Sequence, residues 1–339
     1  EPGLDAAWEL PLFGRAVATH KLTAGAVGSA IADEAAAKVT LIAEVARSYV
    51  ALRAAQQRQA LLTASLAAAR RLVQLAQIRR HAELADDLEV SRARTAADEI
   101  STRLAPLEAT IRAAEQQLAT LCGEPEPDPA LSDPAPMPVP PTASLDVVPA
   151  DLLRLRPDII QAEQNVAESA GALGIAIANL YPQFTLVGSI AAVGSLSGGT
   201  TGMTGLVSGG PGVTIPLLDW GARVDQAKAR NAALGASILR YREAVLTGIG
   251  KVETALAHVA AARHQVIAAR RHAASAEHGA DAAKILYGRG LTPLSDRLDA
   301  ERSKLDAQLE VTTAERSEAL AAIALYKAIG GAMPGDAGA

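Results

Sequence analysis

The sequence predicts a mainly α-helical protein in which long antiparallel coiled-coil hairpins form two tandem repeats and a small set of β-strands is added. The first observation is internal similarity: a shift of 207 positions aligns Ile31 with Ile238 and Gly123 with Gly330 without a gap. The similarity persists over about 110 residues, which indicates a duplicated unit. The second observation is a seven-residue repeat in both copies, and the third is one segment in which apolar and polar residues alternate with a period of two.

The long helices are predicted from apolar residues that recur every three or four positions. In the first copy this seam comprises Ile31, Ala35, Lys38, Ile42, Val45, Tyr49 and Leu52, and in the second it comprises Ile238, Val245, Ile249, Val252, Leu256 and Val259. No proline occurs between residues 14 and 80. One nearly continuous helix, on the order of 100 Å long, is therefore expected there.

Each copy is expected to reverse direction once. In the second copy, Gly288, Gly290 and Pro293 are typical of a turn between helices. The first copy has neither glycine nor proline at the matching place, so its reversal near residues 80–83 is inferred from the second copy. Its returning arm is expected to run as a helix from about Glu83 to Leu121.

Composition excludes several classes of protein. The 339 residues are 49% apolar but only 3% aromatic, which suits thin, alanine-rich helix pairs better than a broad core. The net charge is −5 and the charges are interspersed, which argues against binding to nucleic acid. The lone Cys122 excludes a disulfide within one chain and a cysteine-rich metal site. The six histidines form no metal-binding pattern, and no phosphate loop or nucleophile elbow is present.

Residues 181–220 differ from the helical parts. From Phe184 onward apolar and polar residues alternate, a glycine-, serine- and threonine-rich loop is expected next, and a second strand is expected over 212–220. Each strand of about ten residues is long enough to cross a bilayer when tilted. An isolated soluble hairpin is the alternative, although such a hairpin is only marginally stable.

Six strings resemble the TolC-type outer-membrane efflux channels of resistance-nodulation-division pumps, in particular the NodT-like lipoprotein subfamily. They occur in family order over nearly the whole chain: WELPLFGR (8–15), RPDIIQAE (156–163), IANLYPQFTLVGS (177–189), VTIPLLDWGAR (213–223), YGRG…DRLDAERS (287–303) and LYKAIGG (325–331). RPDIIQAE also reads simply as a good helix start, because proline suits the first turn and Asp158 suits the positive end of the helix dipole.

The resemblance implies a fold and a function. Such channels are homotrimers whose subunits share a twelve-stranded barrel in the outer membrane, and their paired helices continue as a tunnel through the periplasm. It further implies a passive conduit for drugs or other small solutes, without catalytic activity or a cofactor. The implied partners are a periplasmic adaptor protein, an inner-membrane pump of the resistance-nodulation-division class and outer-membrane lipid, with no nucleic acid.

The resemblance also suggests how the chain is organised. The expected segments are a remnant of a first-repeat barrel strand (1–13), a first helical hairpin (14–123), a proline-rich linker (124–150), a helix leading to the barrel (151–180), the strand pair (181–220), a second hairpin (221–331) and a tail (332–339). Because counterparts of residues 151–208 are missing before residue 1, we expect that a helix and a strand precede this sequence in the natural protein.

Three groups of functional residues follow from the same resemblance. Asp296 and Asp299, three apart on a helix, match the acidic periplasmic gate of the family, with a solvated acidic face as the alternative. The expected adaptor-docking tips are Arg80, Asp86, Asp87, Gly288, Arg289, Gly290 and Leu291. The expected aromatic girdle of the barrel is Trp8, Phe13, Tyr181, Phe184 and Trp220, at one end of the strands. No metal site is expected.

A second function remains open at this stage. A soluble periplasmic scaffold or adaptor protein would also use coiled-coil hairpins to bind partner helices. The strands favour the channel, because a scaffold has no use for alternating segments of bilayer length that end in aromatic residues.

Overall fold

The computed structural model describes residues 3–140, 154–197 and 200–331, and it is mainly helical. The tail, residues 141–153 and the two residues at 198–199 lie outside the described residues. In chain order the elements are β1 (Gly3–Leu10), α1 (Arg15–His81), α2 (Asp87–Leu104), α3 (Leu107–Cys122), a 3-10 turn (Pro129–Ser132), α4 (Pro157–Ala178), β2 (Gln183–Ser197), β3 (Thr200–Thr214), α5 (Trp220–Gly288) and α6 (Leu294–Ala328).

The chain divides into two compact units, residues 1–36 with 153–248 and residues 37–152 with 249–339. The division cuts across both expected hairpin repeats, so the segment boundaries given above remain predictions. The long helices α1 and α5 contribute to both units.

The first unit contains an antiparallel sheet of three described strands in the order β1-β2-β3. In β1, Leu10 pairs with Phe184 of β2, and Phe184 also pairs with Val213 of β3. The end of β1, the start of β2 and the end of β3 therefore meet at one end of the sheet. Strand β1 lies within the segment 1–13, whose assignment as the remnant of a barrel strand remains a prediction, and it stops just before Pro11, a residue without a backbone donor.

The prediction for the second strand of the pair was wrong in its position. β3 occupies Thr200–Thr214, whereas Ile215–Leu218 has no strand structure, and both strands have 15 residues instead of about ten. The glycine-rich stretch that reads as a loop is a strand because β2 supplies its backbone hydrogen bonds along the whole ladder. Local strand propensity is weak in comparison with such pairing.

Helices α1 and α4 approach closely in the first unit through glycine. A side chain at Gly25 would lie 2.6 Å from the backbone nitrogen of Glu168, and one at Gly171 would lie 2.7 Å from the carbonyl oxygen of Ala18. Gln161 donates a hydrogen bond of 2.5 Å to Asp33 across the same pair. The absence of side chains at these two glycines therefore sets the distance between the helices.

Near the start of α4, the Arg156 side chain is 4% exposed and donates two hydrogen bonds to the Asp158 carboxylate, at 3.0 and 2.7 Å. A Cβ at Gly248 of α5 would lie 3.3 Å from this guanidinium. The RPD string therefore forms a bidentate ion pair between a buried Arg156 and a partly exposed Asp158 at the start of a helix.

The second unit packs the remaining helices through small residues. Four of its alanines, Ala76, Ala93, Ala307 and Ala314, are 0% exposed. Near the helix ends one apolar cluster joins both hairpins and consists of Leu72, Ala76, Val90, Ala93, Tyr287 and Leu294. Helices α2 and α6 are also joined by ion pairs at 2.8 Å from Arg302 to Glu99 and from Arg103 to Asp306.

The returning arm of the first hairpin is not the single helix that was expected from Glu83. It begins at Asp87 and is divided into α2 and α3 at Ala105 and Pro106. The division follows from the proline, which cannot donate to the carbonyl of Thr102 and whose ring crowds that carbonyl. Glu83 has φ 58°, so it belongs to the turn and not to the helix.

The described part of the proline-rich linker is attached to α1. The Arg53 side chain, 5% exposed, donates to the Asp133 carbonyl at 2.5 Å, and Gln56 donates to the Leu131 carbonyl at 2.8 Å. Arg53 also lies 4.8 Å from the centre of the Tyr49 ring. The linker is therefore held against α1 at Leu131 and Asp133, which the composition of the linker did not indicate.

The coiled-coil seam is buried within the chain over only part of its length. Leu52 is 0% exposed, whereas Ile31 and Ile42 are 62% and 53% exposed. Ala32 and Ala43, each one residue further along α1, are the buried positions at this end. The isoleucines that carry the repeat in the sequence therefore lie on an outer side of the helix in the single chain.

Candidate functional site

The sheet of the first unit has one apolar face. Residues that pair across the strands project to the same side, so the face can be read from the register. On one side these residues are Leu4, Ala6, Trp8, Leu10, Phe184, Leu186, Gly188, Ile190, Val207, Gly209, Pro211 and Val213. Its large side chains are exposed, for example Trp8 at 61% and Val207 at 77%. Nothing within the described chain covers this apolar surface.

The opposite face of the sheet carries polar residues. Asp5 pairs with Ser189, and Glu9 pairs with Thr185. Ser189 in turn lies opposite Ser208, and their hydroxyl oxygens are 2.8 Å apart. The sheet therefore separates an apolar side from a polar side, which is the pattern of strands in a membrane barrel.

The aromatic residues predicted as a girdle lie at the helix-proximal end of the sheet. Trp8 pairs with Leu186, and Phe184 belongs to the first pair of the β1-β2 ladder. The rings of Phe13 and Tyr181 stack with their centres 4.8 Å apart. Trp220, the first residue of α5, is 49% exposed. The structure thus brings these residues to one level of the first unit, while their role remains a prediction.

A polar junction between the sheet and the helices was not foreseen from the sequence. The side-chain oxygen of Asn179, just after α4, accepts from Arg15 at 2.7 Å, and its backbone carbonyl accepts from Arg223 at 2.8 Å. Arg15 also pairs with Glu9 at 3.2 Å and Arg223 with Asp219 at 2.6 Å. Asn179 therefore ties together the starts of α1 and α5. In the sequence, the only sign of this junction is an arginine within two residues of the glycine at the start of each of these helices.

In the second unit, the turn between α1 and α2 has local partners for its charged residues. Asp86 caps α2 by accepting from the backbone of Glu89 at 2.8 Å, and Arg80 pairs with Asp87 at 2.5 Å. All three predicted docking residues of this turn are exposed. The structure confirms the reversal that was inferred from the other copy.

The turn between α5 and α6 is short and presents its residues to solvent. Gly290 has φ 73°, a left-handed conformation that favours glycine after a helix end. Gly288 and Arg289 are exposed, and Leu291 is 66% exposed. An apolar side chain at the tip of a turn, without a cover in the described chain, is a feature of contact surfaces.

Tyr287 connects the two turns. Its ring is 6% exposed and lies 5.4 Å from the guanidinium carbons of both Arg79 and Arg297. Its hydroxyl donates to Glu89 at 3.4 Å, and Arg79 lies 3.8 Å from the same carboxylate. Burial raises the pKa of the Tyr287 hydroxyl above its ordinary value, so this group is protonated at neutral pH. No sequence pattern predicts this cluster, although a tyrosine at a helix end is a signal in a chain with few aromatic residues.

The predicted gate residues lie at the start of α6, directly after this cluster. Asp296 is in the first turn and accepts from the Ser295 hydroxyl at 3.3 Å, and Asp299 borders a cavity of about 780 Å³ between helices of the second unit. Both carboxylates are exposed, and in the described part of the chain neither takes part in an ion pair.

Two features are absent from the described residues. None of the helices there is both long and apolar enough to cross a membrane. No group of three or more histidine, cysteine, aspartate or glutamate side chains in that part of the chain is arranged to hold a metal ion.

Comparison with known proteins agrees with this geometry. A family model described as outer membrane efflux protein matches residues 2–124 and 148–331. Nodulation protein T of Rhizobium leguminosarum bv. trifolii is 32% identical over 324 residues, which cover 94% of this chain and 67% of that protein. The chain thus spans about two thirds of this relative's length.

Solved structures show the same fold. The outer-membrane channel OprN has a TM-score of 0.87 and 29% identity, covering 98% of this chain and 75% of that one. The open state of the outer-membrane channel MtrE from Neisseria gonorrhoeae has a TM-score of 0.82 and 26% identity, covering 97% and 75%. These likenesses support the channel and not the soluble scaffold. The chain belongs to the outer membrane efflux protein family, and it is a subunit of an efflux channel of the outer membrane that extends into the periplasm.

Proposed function

We propose that three copies of the chain form a passive conduit in a tripartite system, together with a periplasmic adaptor protein and an inner-membrane pump of the resistance-nodulation-division class. The observation that carries the proposal is the sheet with one exposed apolar face and one polar face. Such a sheet can form part of a wall between lipid and an aqueous lumen. The conduit exports drugs or other small solutes, uses no cofactor and performs no chemistry.

Open edges of the sheet support assembly into a homotrimer. The described sheet ends at β1 on one side and β3 on the other, and neither outer edge has a strand partner there. Strand edges are not tolerated in a bilayer, because their backbone groups have no water to bind. Closure by further strands, including those of other copies, satisfies these groups.

The acidic residues at the start of α6 support a gate. Three-fold symmetry turns each exposed aspartate into a ring of three carboxylates, which repels anions and binds cations. Among the described residues no ion pair involves Asp296 or Asp299, which is compatible with a ring of this kind. The residues predicted as an aromatic girdle lie at the helix-proximal end of the sheet in the first unit, which supports a membrane interface at that level of the sheet.

The gate is tested by single-channel conductance in planar bilayers. Replacing both residues, Asp296→Ala with Asp299→Ala, is expected to raise the conductance and to abolish block by divalent cations. Asp98→Ala, on the exposed side of α2, serves as the matched control and should leave both properties unchanged. Unchanged conductance and cation block in the double variant would argue for the solvated acidic face instead.

The exposed turns support docking of the adaptor. Arg289 and Leu291 project from one turn and Arg80 from the other, all in the second unit. Arg289→Glu is expected to abolish chemical crosslinking to the adaptor and drug efflux in cells, because charge reversal at a contact repels the partner. Lys251→Glu, an exposed charge reversal within helix α5, is the control. Retained crosslinking and retained efflux in the Arg289 variant contradict docking at this turn.

A further inference from the structure

A cavity of the second unit lies between the proline-rich linker and the helices of both hairpins. Its volume is about 490 Å³, within the usual range of small-molecule sites. One wall consists of linker residues 134–140, and the other walls include Gln57 of α1, Arg270 of α5, and Glu315 and Glu318 of α6. No described residue of the sheet, of the two turns or of the predicted gate lines this cavity. It is therefore separate from the surfaces that the conduit uses.

The linker wall of the cavity is apolar, and its backbone is restricted. Residues 134–140 have the sequence PAPMPVP, so four of the seven are prolines, whose ring fixes the backbone angle φ. The chain directly before this wall is held on α1, where the buried Arg53 donates to the Asp133 carbonyl. A wall that is ordered in advance loses little conformational entropy when a ligand binds. The linker therefore offers a preformed apolar surface to the body of a ligand.

Two carboxylates of the cavity are shielded from solvent. The Glu315 and Glu318 side chains are only 19% and 20% exposed. Among the described lining residues the only cation is Arg270, whose side chain is 62% exposed and which donates to one oxygen of Glu315 at 2.8 Å. Arg263 approaches Glu318 at 3.8 Å, which is too long for a hydrogen bond. A further cationic donor in the cavity is therefore favourable, because shielded charges are stabilised by hydrogen-bonded partners.

An amide oxygen of the same cavity lacks a hydrogen-bond partner. The side-chain Oε1 of Gln57 is buried from solvent, and no group of the described chain donates to it. A buried acceptor without a partner costs free energy, which a ligand that donates a hydrogen bond recovers. This oxygen and the two carboxylates are all acceptors, so the complementary ligand group is a positively charged donor.

We propose that the cavity binds an organic ammonium ion with an apolar body. The ammonium group donates to the carboxylates of Glu315 and Glu318 and to the Gln57 oxygen, and the apolar body packs on linker residues 134–140. The bound ion thereby joins the linker to α6. This site goes beyond the proposed conduit, because it depends on neither the barrel nor the gate. Because the ion binds the folded protein, it is expected to raise the melting temperature.

Fluorescence anisotropy of dansylcadaverine, a primary ammonium ion with an aromatic group, tests the site in the detergent-solubilised full chain. Saturable binding is expected relative to detergent alone, and the neutral analogue N-pentyl dansylamide should bind about tenfold more weakly because it lacks the ammonium group. Glu315→Gln combined with Glu318→Gln keeps the size of both side chains and is expected to raise the Kd of dansylcadaverine about tenfold. Glu310→Gln, at an exposed residue of α6 outside the cavity, is the control and should leave the Kd unchanged.

A second variant keeps the test decisive if the double variant does not fold. Gln57→Met removes the acceptor without changing the charge, so it is expected to raise the Kd several-fold, by roughly the contribution of one hydrogen bond, without lowering the melting temperature of the free protein. A lower melting temperature with an unchanged Kd would assign Gln57 to the fold and overturn its place in the site. Absence of saturable binding, or equal affinity for the charged and neutral probes, overturns the site itself. Single-channel conductance tests the conduit separately and is independent of these results.

Discussion

Tyr287 is the residue on which the contact between the two turns depends. It packs in the apolar cluster of the second unit, stacks between two guanidinium groups and donates to Glu89 at the start of α2. The guanidinium groups of the two arginines are attracted to the face of the ring, and the Glu89 carboxylate accepts a hydrogen bond from the hydroxyl. This side chain of α5 thus contacts residues from three other helices, α1, α2 and α6. A conduit that opens at the turns has to change these contacts.

Replacing Tyr287 by phenylalanine keeps the ring and removes the hydroxyl. We expect the free energy of unfolding in urea to fall by about 1 kcal/mol, the usual contribution of one hydrogen bond. Because the folded protein raises the pKa of this hydroxyl, its stabilising effect is complete below the unfolded value of about 10 and is lost as pH rises through the folded value.

The pH dependence supplies the check on this assignment. Between pH 8 and pH 11 the unaltered protein should lose more stability than the Tyr287→Phe variant. Tyr241→Phe, at a half-buried tyrosine of the first unit, is the matched control. An equal loss of stability in the unaltered protein and in the Tyr287→Phe variant would contradict a stabilising role of the Tyr287 hydroxyl.

At the scale of elements, the long helices were predictable and their interruptions only partly so. A seven-residue apolar period extends over both copies, so α1 and α5 followed directly from the sequence. The break at Pro106 was visible as a proline, but the internal repeat favoured an uninterrupted arm. The position of β3 was not predictable, because glycine-rich residues form a strand only where a partner such as β2 provides hydrogen bonds.

The candidate site was predictable only where its residues lie in or beside one of the sequence strings that resemble the family. The turns and the aspartates lie where the sequence placed them, because loops and helix starts have local signals such as Gly290. The Asn179 junction depends on residues far apart in the sequence, Arg15 and Arg223, and no local pattern brings them together. The same holds for Arg53, which binds backbone carbonyls of the linker.

The exposed stripes on α1 and α5 in the first unit lead to a prediction about assembly. Val27 and Ile31 share a face of α1 and are 60% and 62% exposed, and Leu239 and Leu246 share a face of α5 and are 63% and 70% exposed. Apolar helix faces left open in one copy are expected to be covered in the trimer.

Ile31→Asp combined with Leu246→Asp places charges on both stripes. The trimer is expected to dissociate, because burying unpaired carboxylates costs several kcal/mol. Light scattering of the detergent-solubilised protein measures the molar mass, which should fall from three chains to one. Val139→Asp is the control for an exposed apolar residue outside the stripes. A double variant that keeps the mass of three chains contradicts the role of these faces.

At the scale of the whole molecule, the two units present different kinds of surface. The first unit presents an apolar sheet face with a polar reverse, and the second unit presents exposed turns with exposed aspartates. The first arrangement suits a wall between lipid and water, and the second suits a regulated opening. Membership of the outer membrane efflux protein family joins the two in one channel.

The most direct test of this account is thiol labelling along β2. In a Cys122→Ser background, single cysteines are placed at positions 186 to 190, and the protein in liposomes is treated with a membrane-impermeant maleimide. Cysteine in place of Val187 or Ser189, on the polar face, should react, whereas cysteine in place of Leu186, Gly188 or Ile190 should be protected by lipid. Labelling that alternates in this way supports the wall between lipid and lumen, and uniform labelling along the strand contradicts it.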